Sequence, residues 1–329
     1  PVGAGVAVNW SASLGSLGAA VSRTDGNSQA TVVLTSPAGV GRAAVTAHAS
    51  DGDAGKTVTI AYTADLSSAR VVAGAYSGNK SPVLANGVDV ITLWAYVKDA
   101  TGNRVAGATV DWTTNLGTLD SVTSLSDANG EAHVKLVSTI AGDPVATARV
   151  GVADPGRTIG MPSFEPDPST ARVVELTPSK ASGVANGVDT VSFTAVLKDR
   201  YDNLMWKYAA VNWTTSGGVL AAAVSETDAG GKATMLLSAP KVAGRVDVTA
   251  KGAAADAGKT ASVTFSGGAS SSRVGSASAS KTSILANGRD TVILTATVLD
   301  GDGNAAGEGL VVDWNTSLGM LDGPASRTN

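Results

Sequence analysis

Residues 53–57 and 256–260 both read DAGKT. A Gly-Lys-Thr run can hold a nucleotide phosphate, because backbone N–H groups wrap the anion and the lysine reaches it. That chemistry needs another glycine five positions earlier and a helix immediately after. The earlier positions hold Ser50 and Ala253, and the sequels TVTIAYT and TASVTF alternate with the rhythm of strands. The residues argue against a phosphate loop, and the duplication itself becomes the signal.

Other groups capable of chemistry are few. There are two histidines, His48 and His133, in the strand-like runs VTAHAS and EAHVKL. Neither recurs at the matching place elsewhere in the chain, and a metal site needs several converging ligands, so both read as strand-face residues. Asp127, Asn129, Asp228, Asp300, Asp302 and Asn304 sit in Gly-rich stretches. Turn geometry is the simpler reading of these, with calcium as the alternative. The DGDGN stretch (300–304) lacks the length and terminal Glu of an EF-hand loop. Cysteine is absent, which removes thiol catalysis, disulfides and thiolate metal sites. The expectation is no enzyme, with no catalytic residue, cofactor or metal site.

The elements that position these residues come in copies. Trp10, Trp112, Trp213 and Trp314 each end a VNW or VDW run, at spacings of 102, 101 and 101. LANGVD (84–89), VANGVD (184–189) and LANGRD (285–290) recur, as do DATGN, DRYDN and DGDGN. DAGKT belongs with them, its counterpart in the intervening copy being DPGRT (154–158). The unit of about 101 residues is the size of one β-sandwich and far longer than a solenoid repeat.

Within a unit, short alternating runs are separated by turn signals. In TVSFTAVLKD, Val191, Phe193, Ala195 and Leu197 share one face. AAVNWTT, KATMLLS, RVDVTAKG and TASVTF follow as further strands, with no helix signal. Few strong helix formers and abundant Gly, Ala, Val, Thr and Ser agree. The fold class is all-β: tandem immunoglobulin-like antiparallel sandwiches forming an elongated, semi-rigid rod, each with its tryptophan in the core. The boundaries read 1–68, 69–170, 171–271 and 272–329. The first unit lacks its opening strands and the last its closing strands, and the edges so left would favour pairing with another chain. TIGMPSFEPDPST (158–170), with Pro162, Pro166 and Pro168, reads as a poor strand, an edge or a loop.

Net charge is −4, so no basic field invites nucleic acid, and no apolar run approaches a membrane span. Any attachment to a membrane would therefore come from a region outside this chain.

The copies differ most in their aromatics. Of the 14 Phe, Trp and Tyr residues, five lie at two places. Trp94 and Tyr96 fall on the outward face of their strand, where other copies carry Thr194 and Val196, or Thr295 and Thr297. Tyr201, Met205, Trp206 and Tyr208 replace the small residues of NRVAGATVDW. They read as packing against a neighbouring domain or joint or covering a loop, as a partner-binding patch, since exposed Trp and Tyr commonly anchor interfaces, or as plain surface scatter.

The combined string resembles the bacterial Ig-like domain, group 1, of the intimin/invasin adhesins. It consists of ANGxD, an alternating strand ending KD, then GN, V-D/N-W-T-T and TDANG-x-A. The resemblance covers the whole chain as two full and two partial copies. It implies the passenger of an inverse autotransporter, exported across the outer membrane to the bacterial surface as a stalk. Partners would be a host-cell surface protein or glycan, or another copy in self-association. The family supplies no catalytic residues, and the cysteine-bearing lectin-like tip of some members has no counterpart here.

Overall fold

The computed structural model describes residues 2–49, 52–206 and 208–329. Pro1, where the first partial copy begins, lies outside them. The chain divides into two compact units, Pro1–Glu165 and Pro166–Asn329. Among the described residues, helix is confined to two single 3₁₀ turns, Leu66–Ser68 and Pro168–Thr170.

In the first unit, the full copy is a sandwich of two four-stranded sheets. One runs Thr118–Leu119, Glu131–Val137, Ile91–Lys98, Arg70–Gly78; the other runs Thr123–Leu125, Thr109–Thr114, Val145–Arg149, Arg157–Gly160. All neighbours within the two sheets are antiparallel. Alternation places Ile91, Leu93, Ala95 and Val97 in the core with Val134, Leu136 and Trp112. The Trp112 ring is 2% exposed, and its indole N–H donates to Ser124 Oγ at 2.9 Å. The second unit repeats this plan, with Val191, Phe193, Ala195 and Leu197 packed beside Trp213. Trp213 donates to Ser225 Oγ at 2.9 Å.

The Pro-rich stretch is more ordered than its composition suggests. After Gly160 the strand breaks, then Phe164–Glu165 pairs in parallel with Val83–Leu84, and Phe164 is fully buried. In the next copy the same position is Phe265, 1% exposed, on the unbroken strand Lys259–Ser266. The prolines interrupt the strand, while burial of one phenyl ring keeps the segment on the sandwich.

Trp10 and Trp314 correct the expectation of four equivalent core rings. Both keep the hydrogen bond to a serine (Ser22 and Ser326, 2.9 Å), but both rings are only half-buried. The sheet that covers Trp112 and Trp213 has no full counterpart in the partial copies.

The repeated strings are sites where a side chain folds back onto the backbone. In ANGVD, Asn86 Oδ1 accepts from the amides of Val88 and Asp89, while Asp89 accepts from Leu84 N–H at 3.0 Å and Lys80 Nζ at 2.7 Å. In DPGRT, Asp154 Oδ2 accepts from Val71 and Val150 N–H at 2.9 Å, and Oδ1 from Gly156 N–H at 3.0 Å. Val71 stands beside a β-bulge. In the second DAGKT, Asp256 holds Val173, Gly252 and Gly258 N–H in the same way, again beside a bulge. In the first DAGKT, the exposed Asp53 holds Ala49 and Gly55 N–H, two amides among the described residues. The run that looked like a phosphate loop is a carboxylate clamp on a hairpin.

Neighbouring copies within one unit are joined by a second device. Asn103 Nδ2 donates to Ala38 O at 2.8 Å and its Oδ1 accepts from Val40 N–H at 3.3 Å. Asp99 Oδ2 accepts from Asp65 N–H at 3.2 Å. The second unit repeats it: Asn304 binds Lys241 O (2.8 Å) and Ala243 N–H (2.7 Å), and Asp300 binds Gly268 N–H (3.1 Å).

Truncating Trp112 to Ala is expected to cost about 3–5 kcal/mol, with a smaller cost for Trp10→Ala. Urea unfolding of the two variants checks this ordering.

The acid limb follows from the clamps. Desolvation pushes the Asp154 and Asp256 carboxyls up, but the backbone amides outweigh it and hold both below the usual carboxylate range. A depressed folded-state pKa contributes stability that is complete above the unfolded value, about 3.9, and is lost as pH falls below it. The protein is therefore expected to keep its stability from neutral pH to about pH 5 and lose it below about pH 4. The penalty of Asp154→Asn should be larger at pH 7 than at pH 3, measured by urea unfolding at each.

Candidate partner-binding surface

The outward face of the sheet containing Ile91–Lys98 carries the first aromatic group. Trp94 and Tyr96 alternate with the buried Leu93, Ala95 and Val97 and are half-buried. Across the strands, Trp94 faces His133 and Ala75, and Tyr96 faces Glu131 and Ala73. The His133 ring meets Trp94 edge-on, with centroids 5.7 Å apart and planes at 78°. The two alanines cover little of the aromatic faces on their side.

Beside Tyr96 lies a shallow cleft of about 230 Å³, whose lining includes Lys98, Arg104 and Asn129. An aromatic wall with two cations suits an acidic group on a partner. Sequence reasoning alone missed Lys98 and Arg104, and read His133 as a strand-face residue without a partner ring. The signal was available in the strand parity, which places Lys98 on the same face as Tyr96 and His133 on the same face as Glu131.

The second group lies on the loop before the Trp213 strand. Tyr208 is 75% exposed and holds φ at 55°. Five residues before their own tryptophans, the other copies carry Gly5, Gly107 and Gly309, with φ of 94°, 76° and 87°. Asp202, φ 67°, likewise stands where Gly102 and Gly303 have 90° and 89°. A bulky side chain in the left-handed region costs roughly 1–2 kcal/mol, so at the Tyr208 position this copy carries strain that the glycines of its neighbours avoid. Tyr201 is 39% exposed, and Arg200 lies 4.6 Å above its ring. Trp206 is half-buried.

Met205 must be removed from the candidate surface. It is 4% exposed and packs in the core, and its N–H donates to Leu197 O at 3.0 Å, as Val105 donates to Val97 in the preceding copy. The sequence showed a larger residue than valine but not the strand bridge that turns it inward.

Residues 74–159 and 173–266 match the bacterial Ig-like domain (group 1), which is more than half of the chain. The chain belongs to the group 1 bacterial Ig-like domain family. Among the relatives of this group 1 protein is the inverse autotransporter adhesin YeeJ of Escherichia coli (strain K12). It is 32% identical over 76% of this chain and 11% of its own length. Intimin of Escherichia coli O127:H6 is 28% identical over 48% of this chain and 16% of its own length. The chain thus spans only a small part of either relative. Among solved structures, Yersinia pseudotuberculosis InvD is 18% identical with a TM-score of 0.49, over 78% of this chain and 82% of its own. YeeJ is an adhesin by name, and likeness to it marks this group 1 segment as non-enzymatic.

Tyr208→Gly is expected to stabilise the second unit by about 1 kcal/mol, because glycine adopts positive φ without steric cost. A higher urea midpoint at unchanged slope confirms this; an unchanged or lower midpoint means the tyrosine is not strained.

Proposed function

We propose that the chain is a stalk segment of a surface adhesin, spacing an adhesive region elsewhere in the parent protein from the outer membrane. Four copies with boundaries 1–68, 69–170, 171–271 and 272–329 form its units. The observation that carries this reading is the asparagine clasp, in which Asn103 and Asn304 each fasten one copy to the preceding one through the same two hydrogen bonds. A repeated joint of fixed geometry is what a spacer needs and what a catalyst does not. Likeness to an inverse autotransporter adhesin and to intimin supports export to the bacterial surface.

A second reading has its own observation. Trp94, Tyr96 and the strained, exposed Tyr208 distinguish the two full copies from each other and from the partial ones. On this reading these surfaces touch a host-cell protein or glycan directly. A fragment of the intimin relative has been solved in complex with the translocated intimin receptor, which makes a host partner a reasonable class for this protein. Self-association between stalks is the remaining form of the same idea.

Binding of the purified protein to cultured host cells separates the readings, run beside the triple variant Trp94→Ala, Trp206→Ala, Tyr208→Ala. The stalk reading expects no specific binding by either protein while both remain folded. Wild-type binding that the triple variant loses overturns it in favour of the aromatic surfaces.

A further inference from the structure

On the outward face of strand Glu131–Val137, two residues and the turn before it bring three metal-binding side chains together. Asp127, Glu131 and His133 each present a ligand atom, and these atoms all lie within 4.8 Å of one another. Glu131 and His133 are two apart on one strand and so share a face. Asp127 is fixed by the turn: its Oδ1 accepts from the amides of Asn129 and Glu131, leaving Oδ2 outside those bonds. His133 Nε2 is 3.8 Å from Glu131 Oε2, and the imidazole is steadied edge-on by Trp94. Among the described residues, no lysine or arginine forms a salt bridge with either carboxylate.

We propose that Asp127, Glu131 and His133 bind a divalent transition-metal ion, with water in the remaining coordination positions. The donor set selects the class. One imidazole with two carboxylates suits Zn²⁺, Ni²⁺ or Cu²⁺, whereas Ca²⁺ takes six to eight oxygens and gains nothing from imidazole. The ligands converge by small side-chain rotations, since Zn–N and Zn–O bonds of about 2.0–2.2 Å require donors closer than they now stand. The first and third copies lack the site. Its counterparts are Asp25, Gln29 and Thr31 in the first copy and Asp228, Lys232 and Thr234 in the third. Those copies keep the turn aspartate, which serves the fold, and lack the other two ligands. The site goes beyond the stalk reading and stands or falls independently of it.

The test is calorimetric titration of the whole protein with ZnCl₂. The control variant is Glu131→Lys, His133→Thr, residues that the same strand carries in the third copy, so the fold is kept. Expected is one Zn²⁺ per molecule, with affinity falling more than about 100-fold in the double variant, because loss of an outer partner alone costs 10–100-fold. His48→Ala, removing the only other histidine, should change nothing. Cu²⁺ should quench Trp94, and Trp94→Thr should lose that quenching. The proposal is overturned if Zn²⁺ does not bind at concentrations up to about 1 mM. It is equally overturned if the double variant binds as well as the wild type.

Discussion

In these sandwiches, which have no cysteine, aspartate carboxylates pin the turns to the facing sheet from within. Asp154 and Asp256 each hold three backbone amides, one of them on the first strand of the opposite sheet beside a bulge. Hydrogen bonds to a charged acceptor are stronger than neutral ones, and an amide left unpaired in such a place is costly. In both full copies the clamp thus gives the amide beside the bulge a charged partner. Asp89 and Asp189 do the same work at the other end with a lysine as second partner. The tryptophan fills the space that this frame encloses.

Differences between copies mark where the frame leaves freedom. The inward faces of Ile91–Lys98 and Thr190–Lys198 obey one constraint, since both bury aliphatic or phenyl groups in the core that holds the corresponding tryptophan, Trp112 or Trp213. The outward faces share no such constraint, so Trp94 and Tyr96 can stand where Thr194 and Val196 do. Tyr208 is a departure of another kind, since it sits where the backbone itself favours glycine.

Much of the fold was legible in the sequence because period-two alternation and a 101-residue repeat are both strong signals. The core faces followed from parity, and the strand order is that of the immunoglobulin type. The short paired segments, such as Val83–Leu84 with Phe164–Glu165, were not legible, because two residues carry no periodicity and the prolines spoke for a loop. The surface site was half legible. Trp94 and Tyr96 stood out by composition, but Glu131 and His133 became relevant only once cross-strand register set them opposite those rings. Met205 misled because size was visible and direction was not.

The asparagine clasp has a genetic consequence. Asn103 and Asn304 supply the side chain, while the receiving residues, Ala38 and Val40 or Lys241 and Ala243, take part only through a backbone carbonyl and a backbone amide. The receiving residues differ in type, yet the joint is the same. A copy duplicated or moved by recombination to a joint of this kind would therefore meet a compatible neighbour. Array length could change in one event without any matching substitution to repair the seam.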